Sequence, residues 1–160
     1  MRNIFIVGAS SSIGIETTKL FLNNGDHVLA TYNENDFVMS HNNLIKKQLK
    51  LDRFLFDDEI FLSIESLKPL DIVIFLAGIL PGKNLFDYTT DEIFNVMNVN
   101  FISQAKLIKY LLPYLNDNSH ILMMSSISGQ RGSFDPIYAA SKSAMFGRGT
   151  GESRQHKVEK

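Results

Sequence analysis

Short apolar runs separated by turn-forming residues recur along the chain. They lie at Asn3–Val7, His27–Ala30, Gln48–Leu51, Asp71–Leu76 and His120–Met124. Because each run is apolar throughout rather than alternating, it fits a strand covered on both faces. Between the runs, apolar residues recur with helical spacing over Ile13–Asn23, Asp57–Leu67 and Asp91–Leu115. Strands that alternate with helices predict an α/β fold built on a parallel sheet.

The regular pattern ends near residue 146, and we expect one domain over residues 1–146. A chain of 160 residues buries roughly 70% of its unfolded surface, which suits a single core. Residues 147–160 are polar, with Val158 as the one apolar side chain. We therefore expect the helix that carries Ser141 to end soon after Phe146, and residues 147–160 to form a disordered tail.

Composition narrows the classes of function. The chain has 16 Lys and Arg against 17 Asp and Glu, and no Cys. Its near-neutral charge gives no field that would attract nucleic acid or a membrane surface, so neither partner is expected. The lysine-rich stretch 46–50 is read as a solvated helix end. The absence of Cys fits a cytoplasmic protein, and the four His lack metal-ligand spacing, so no metal is expected.

A turn of small residues follows the first apolar run, with the sequence Gly8-Ala9-Ser10-Ser11-Ser12-Ile13-Gly14. Small residues let a backbone approach a phosphate, whose charge is attracted by the N–H groups and dipole of the next helix. A tight turn with a serine cap would explain the same residues. The helix and second strand that follow favour dinucleotide binding, because they complete the βαβ unit in which such loops bind it.

The end of the second strand distinguishes NAD from NADP. An acid there binds the ribose 2′-hydroxyl of NAD, whereas a basic residue binds the 2′-phosphate of NADP. Tyr32 and Asn33 occupy this position. The missing acid favours NADP(H) over NAD(H), although no Arg or Lys follows at once and Glu34 or Asp36 could turn towards the ribose.

A second group of polar residues consists of Ser125, Ser126, Tyr138 and Lys142. Tyr138 and Lys142 are four positions apart, which places them on one face of a helix. A tyrosine is a poor base at neutral pH, but an adjacent ammonium stabilises its phenolate. A serine hydroxyl nearby would hydrogen-bond the oxygen that the tyrosine protonates. The spacing Tyr-x-x-x-Lys alone also occurs by chance on exposed helices.

In their order along residues 1 to about 147, these motifs resemble the short-chain dehydrogenase/reductase family of the classical type. The turn from Gly8 to Gly14 is similar to its Gly-x-x-x-Gly-x-Gly, with Ser12 in place of the middle glycine. Leu76-Ala77-Gly78 stands where the family has Asn-Ala-Gly, so Leu76 lacks an amide that normally braces the sheet. The remaining matches are Asp52 (the adenine-contacting acid closing the third strand), Asn100, Ser126 of Ser-x-x-Gly, and Tyr138 with Lys142.

The resemblance implies a Rossmann-like, doubly wound parallel sheet in three α/β/α layers. It also implies hydride transfer between NAD(P) and a carbonyl or secondary alcohol. Tyr138 would be the general acid/base, Lys142 would hold the nicotinamide ribose, and Asn100 would hold a water. Ser-x-x-Gly selects Ser126 to orient the reacting oxygen, whereas the commoner Ser-to-Tyr spacing selects Ser125. The implied cofactor-binding residues are Gly8, Ser10, Ser11, Ser12, Ile13, Gly14, Tyr32, Asn33, Asp52, Ala77, Gly78, Tyr138 and Lys142.

The family's last strands and substrate-covering helix have no counterpart after Phe146, so the resemblance implies a C-terminally truncated member. The alternative function is therefore an inactive or unstable fragment that at most binds the dinucleotide. Family members form dimers or tetramers, here expected through the helix over 91–115 and the Tyr/Lys helix. The expected apolar seam consists of Leu107, Ile108, Leu111 and Leu112.

Overall fold

The computed structural model describes residues 1–52 and 58–155, with side chains up to 146. Five parallel strands form one sheet in the order β3-β2-β1-β4-β5. The strands are β1 (Asn3–Val7), β2 (His27–Tyr32), β3 (Leu44–Gln48), β4 (Leu70–Phe75) and β5 (Leu115–Met123). The described helices are α1 (Ser12–Asn23), α2 (Asp58–Leu67), α3 (Thr90–Met97), α4 (Ser103–Leu111), α5 (Ser128–Arg131) and α6 (Pro136–Gln155). The predicted Rossmann-like α/β fold is confirmed.

Two compact units divide the chain. The sheet unit comprises Met1–Ala77 and Gln104–Met124, and the helical unit comprises Gly78–Ser103 and Ser125–Lys160. All five strands belong to the sheet unit, whereas α3, α5 and α6 belong to the helical unit. Each unit therefore contains two separate stretches of sequence.

The core of the sheet unit explains the continuous apolar runs. In β1, Ile4, Phe5 and Ile6 have no exposed surface, because β1 lies between β2 and β4 in the sheet. β4 contributes the buried residues Val73 and Phe75. Strands in the middle of a parallel sheet are covered on both faces, so they need apolar residues at successive positions.

The third strand begins four residues earlier than predicted and ends three residues earlier, at Leu44–Gln48 rather than Gln48–Leu51. Leu49 and Leu51 are buried although they follow the strand. The Leu49 N–H still donates to the Tyr32 carbonyl at 2.8 Å, and the apolarity of both residues reflects contact with the core. The predicted solvated helix end over 46–50 is also wrong. Lys46 and Lys47 lie in β3 at the edge of the sheet, where lysines discourage pairing with another chain.

The helix predicted over 91–115 is four helical segments followed by a strand. Thr89 and Glu92 form a capping box that begins α3 at Thr90. A π turn over Asn98–Ile102 then leads into α4. After α4, a 3-10 turn over Leu112–Tyr114 contains Pro113, which cannot continue a helix because it lacks an N–H. β5 consequently begins at Leu115, five residues before the predicted His120.

The expected intersubunit seam is largely internal. Leu107, Ile108 and Leu111 are at most 1% exposed, whereas Leu112 is 47% exposed. The three buried residues belong to the sheet unit and contribute to this chain's own core. They are therefore not available for contact with a second copy.

The last helix also differs from expectation, because α6 continues to Gln155 instead of ending near Phe146. Backbone hydrogen bonds close a helix without an apolar face, and they continue α6 through Gly147, Gly149 and Gly151, although glycine is a weak helix former. The predicted tail is thus helical over 147–155, and residues 156–160 lie outside the described residues. Asp57, the predicted start of the second helix, lies outside them as well.

Candidate active site

The glycine-rich turn of the sheet unit requires glycine at both ends. Gly8 has φ +90°, and a Cβ there would lie 2.6 Å from the backbone nitrogen of Ala77. A Cβ on Gly14 would lie 2.6 Å from the carbonyl oxygen of Gly8. Between them, the Ser11 hydroxyl accepts a hydrogen bond from the Gly14 N–H and donates one to the Gly8 carbonyl, both at 3.1 Å. The turn is therefore tightly folded onto the start of α1.

The start of α1 has the properties of an anion site. Ser12 and Ile13 are the first two residues of the helix, and the N–H groups at these positions have no intrahelical acceptor. The first turn contains no acidic side chain that would neutralise the positive end of the helix dipole. Ser11, Ser12 and Ile13 are exposed and Ser10 is half-buried. These residues fit the pyrophosphate of a dinucleotide.

The end of β2 carries Tyr32, followed by the exposed Asn33, whose carbonyl accepts a hydrogen bond of 2.7 Å from Gln48 Nε2. Of the two nearby acids, Asp36 is already engaged: its carboxylate lies 2.9 Å from Lys46 Nζ. The hydrogen bond from Lys46 holds the pKa of Asp36 below its usual value. Glu34 is exposed, so it is the acid in this loop that is not held by Lys46.

The ends of β3 and β4 differ in how well they match the expected binding residues. Ala77 follows β4, and its N–H donates to the Val7 carbonyl at 3.0 Å. The Ala77 carbonyl accepts a hydrogen bond of 2.9 Å from the fully buried Gln104, which thus supplies an amide beside Leu76. Asp52 lies in a turn four residues beyond β3, so it does not close that strand as expected.

Asn100 is the centre of a buried polar network in the helical unit. It lies in the π turn and has no exposed surface; such turns are frequent at functional sites. Its Oδ1 accepts from the Ile79 N–H at 2.8 Å, and its Nδ2 donates to the Ile79 carbonyl and to Ser141 Oγ, both at 2.9 Å. Ser141 Oγ donates in turn to the Tyr138 carbonyl at 2.7 Å. Asn100 thereby connects the segment after Gly78 to α6.

Lys142 is brought beside Tyr138 and Asn100 within the same unit. Its side chain is buried, with Nζ 5.8 Å from the centre of the Tyr138 ring. A Cβ on Gly78 would lie 3.2 Å from both Lys142 Nζ and Asn100 Oδ1, so these two atoms border the same glycine. Burial lowers the pKa of Lys142, because desolvation disfavours the ammonium.

The two candidate serines have different hydrogen bonds. Ser125 Oγ donates to the Lys142 carbonyl at 2.9 Å, so its proton is used to attach the segment after β5 to α6. Ser126 Oγ accepts from the Ser128 N–H at 3.2 Å, and this bond leaves its own proton available. The difference favours Ser126 as the hydroxyl that contacts a substrate.

Gly129, the glycine of Ser-x-x-Gly, lies where α5 meets α6. A Cβ there would lie 2.8 Å from the Lys142 carbonyl carbon and 2.9 Å from the Ser143 nitrogen. Backbone atoms cannot move aside as a flexible side chain can. The glycine is therefore required by helix packing.

Asp135, which no sequence motif singled out, immediately precedes α6 and is 2% exposed. Its carboxylate accepts hydrogen bonds from the Tyr138 N–H and from the Tyr88 hydroxyl. Burial and this hydrogen bond raise the pKa of Tyr88. The pair Asp135-Pro136 was the available signal, because Asp is a preferred helix cap and Pro a preferred first helical residue.

Among the side chains of residues 1–52 and 58–146, no group of three or more His, Asp and Glu is arranged to hold a metal ion. No helix of this described part is long and apolar enough to cross a membrane.

Comparison with known proteins identifies relatives over most of the chain. A family model described as short chain dehydrogenase matches residues 2–151. The Helicobacter pylori (strain J99) protein named probable short-chain type dehydrogenase/reductase VdlC is 30% identical over 148 residues, which are 88% of this chain. The match covers 54% of VdlC, so this chain spans about half the length of that curated relative.

Solved structures agree with the fold. A short chain dehydrogenase family protein from Francisella tularensis matches 91% of this chain and 60% of its own, with a TM-score of 0.79 and 26% identity. A variant of ElxO solved with NADPH bound matches 98% of this chain and 69% of its own, with a TM-score of 0.82 and 24% identity.

Proposed function

The chain belongs to the short-chain dehydrogenase family, and from that premise we propose that it is an NADP(H)-dependent oxidoreductase acting on a carbonyl or secondary alcohol. The observation that carries the proposal is the burial of Lys142 beside the Tyr138 ring, with its Nζ and Asn100 Oδ1 bordering Gly78. Burying a lysine in a polar network costs free energy that packing alone does not repay. A role in proton transfer accounts for it.

The proposed chemistry assigns one task to each residue. The Tyr138 hydroxyl gives its proton to the substrate oxygen during reduction, and the Tyr138 phenolate takes a proton from the substrate hydroxyl during oxidation. The Lys142 ammonium stabilises the phenolate that remains, and the Ser126 hydroxyl donates a hydrogen bond to the same substrate oxygen. Asn100 holds the Ile79 backbone and Ser141 at fixed positions.

The nicotinamide cofactor, when bound, supplies or accepts the hydride. The residues proposed to hold its pyrophosphate are Gly8, Ser10, Ser11, Ser12, Ile13 and Gly14. Tyr32 and Asn33 would contact the adenosine ribose, and Asp52 would contact the adenine. Ala77 and Gly78 would contact the cofactor through their backbone, and Tyr138 and Lys142 would contact the nicotinamide ribose. The engagement of Asp36 by Lys46 supports NADP(H), because it removes one acid that would bind the 2′-hydroxyl of NAD.

A thermal melt with millimolar NADPH and, separately, NADH tests the cofactor proposal. A ligand that binds the folded state alone increases the free energy of unfolding, by about 2.7 kcal/mol at one hundred times its Kd. The melting midpoint rises as a result. We expect NADPH to raise Tm more than NADH. A larger shift with NADH would contradict the preference, and no shift with either would contradict dinucleotide binding.

The rate of change in nicotinamide absorbance, measured with a panel of ketones and secondary alcohols, tests the reaction. Tyr138→Phe is expected to lower kcat by about 100-fold or more, the usual contribution of a general acid/base. Ser126→Ala should also lower kcat, whereas a loss confined to Ser125→Ala would reverse the choice of serine. Tyr110→Phe, at a half-exposed tyrosine of α4, is the matched control.

The second candidate function is dinucleotide binding without catalysis, for which the glycine-rich turn and the start of α1 would suffice on their own. Nucleotide-dependent stabilisation without turnover on any substrate of the panel would support this alternative.

A homodimer or homotetramer and a cytoplasmic location stay predictions. For the oligomer, the exposed Phe94 and Ile102 of the helical unit replace the buried leucines of the expected seam, and sedimentation velocity would test the association.

A further inference from the structure

Asp135 is a buried carboxylate that none of the proposed chemical steps uses. Its Oδ2 accepts from the Gly82 N–H at 3.0 Å and, more weakly, from the Lys83 N–H at 3.4 Å. The Tyr88 hydroxyl lies 2.8 Å from both carboxylate oxygens. The Tyr138 N–H donates to Oδ1 at 2.9 Å. Four donors thus converge on one side chain within the helical unit.

A helix cap explains a single one of these four bonds. Capping requires that the side chain accept from an N–H of the first helical turn, here that of Tyr138. The other three donors come from the segment 79–88, which follows Gly78. A buried carboxylate is costly unless donors replace its lost hydration. Burial by itself raises the pKa of Asp135, but the hydrogen bonds outweigh it and keep the pKa below its usual value.

We propose that Asp135 is a positioning residue for Tyr138, which it holds in place by fastening the segment 79–88 to the first turn of α6. This inference rests on the proposed function. Tyr138 is held on both sides of its Cα, since its N–H bonds Asp135 and its carbonyl accepts from Ser141 Oγ. A displacement of about 1 Å in a reacting group can cost about 100-fold in rate, so the position of this turn matters for proton transfer.

The same segment is fastened at its two ends by different residues. Asn100 holds Ile79 through two hydrogen bonds, and Asp135 holds Gly82, Lys83 and Tyr88. Both residues are also connected to Tyr138 by hydrogen bonds. Asp135 accepts directly from the Tyr138 N–H, and Asn100 reaches the Tyr138 carbonyl through Ser141. The segment and the first turn of α6 are therefore joined in one hydrogen-bond network.

Three variants separate the positioning role from simple helix capping. Asp135→Ser keeps a favoured cap residue, but its hydroxyl is too short to hold the segment 79–88. Tyr88→Phe removes one donor of the segment and leaves the cap residue itself in place. Tyr110→Phe is the matched control outside this network. We expect kcat to fall by about 10-fold in Asp135→Ser and Tyr88→Phe, with the KM for NADPH changed by less than about 2-fold.

A solvent deuterium isotope effect on kcat distinguishes misplacement from a loss of folded protein. The isotope effect should rise in both variants, because proton transfer then limits the rate more strongly; a smaller folded fraction would leave it unchanged. Wild-type kcat in Asp135→Ser or Tyr88→Phe would overturn the proposal and reduce Asp135 to a cap. A lower kcat with an unchanged isotope effect would overturn it as well.

Amide hydrogen exchange tests the same contacts without turnover. In Tyr88→Phe, the amides of Gly82, Lys83 and Tyr138 should exchange about 10-fold faster together, while the Ile79 amide, held by Asn100, should not. No acceleration, or acceleration confined to Gly82 and Lys83, would overturn the positioning role. If the wild-type chain transfers no hydride, the proposed function fails on that result, and exchange still decides whether Asp135 fastens the segment to Tyr138.

Discussion

The two units differ in the share of polar side chains among their buried residues. In the sheet unit, the largest fully buried side chains are apolar, with Gln104 as the exception. In the helical unit, Asn100, Asp135, Ser141 and Lys142 are all at most 4% exposed, and the first three are joined by hydrogen bonds through the segment 79–88 and Tyr138. The hydrophobic effect is non-directional, whereas hydrogen bonds require fixed geometry. The unit with the proposed chemistry is thus the one whose interior is held by directional contacts.

Truncating a central aromatic residue of the sheet unit should have the largest effect. Phe5→Ala is expected to lower the free energy of unfolding by about 3–5 kcal/mol, because it removes buried apolar surface and leaves a cavity. Denaturant unfolding measures the change. Val38→Ala, at a fully exposed position of the same unit, should have almost no effect. A smaller loss of unfolding free energy for Phe5→Ala than for Asn100→Ala in the helical unit would contradict the comparison.

Removing the central amide of the helical unit should cost less but remain large. Asn100→Ala removes the partner of the Ile79 N–H and carbonyl and the donor to Ser141 Oγ, which keeps its bond to the Tyr138 carbonyl; the loss is expected to cost about 1–3 kcal/mol. Asn95→Ala, at an exposed asparagine of α3, is the control. Equal unfolding free energies for these two variants would show that the buried network adds no stability.

A helix cap gives an intermediate effect. Thr89→Ala removes the hydroxyl that accepts from the Glu92 N–H at 3.2 Å and should destabilise α3 by about 1 kcal/mol. Thr89→Ser should restore most of the loss, because serine is also a favoured cap. Helicity and thermal melts of the two variants measure the difference. A loss that serine does not restore would assign the effect to the methyl group instead.

The smallest effect is expected for a polar contact on the surface of the sheet unit. Asp36→Asn breaks the pair with Lys46 and should lower Tm by no more than about 2 °C at pH 7. Because the pKa of Asp36 is lowered on folding, its contribution is present above the unfolded value of 3.8 and disappears as pH falls through the lower folded value. Melts of both proteins at pH 7 and near pH 2 should therefore converge at acid pH. A difference that persists there would not be electrostatic.

The sequence predicts the sheet unit well where apolar pattern and burial coincide. The predicted β1 is confirmed residue for residue, because the middle strand of a parallel sheet needs apolar side chains throughout. The prediction failed at β3, where Leu49 and Leu51 are buried without being in a strand. Apolar residues show that a segment meets the core, but not which backbone conformation it adopts there.

The helical unit was less accessible to prediction. Spacing identified Tyr138 and Lys142 as neighbours, since they are four positions apart on one helix. It could not show that Asp135 meets Tyr88, which is 47 positions away along the chain, because hydrogen bonds between distant residues leave no periodic pattern. Their roles in catalysis stay predictions.

The packing of Gly129 against Lys142 and Ser143 has a consequence for any screen of a variant library by activity alone. Replacing this glycine forces two backbone segments apart, so inactive clones would accumulate at position 129 as readily as at position 138. The former would be lost through misassembly and the latter through missing chemistry. A screen that records cellular abundance beside turnover would separate the two positions, and without it a packing requirement would be mistaken for a catalytic one.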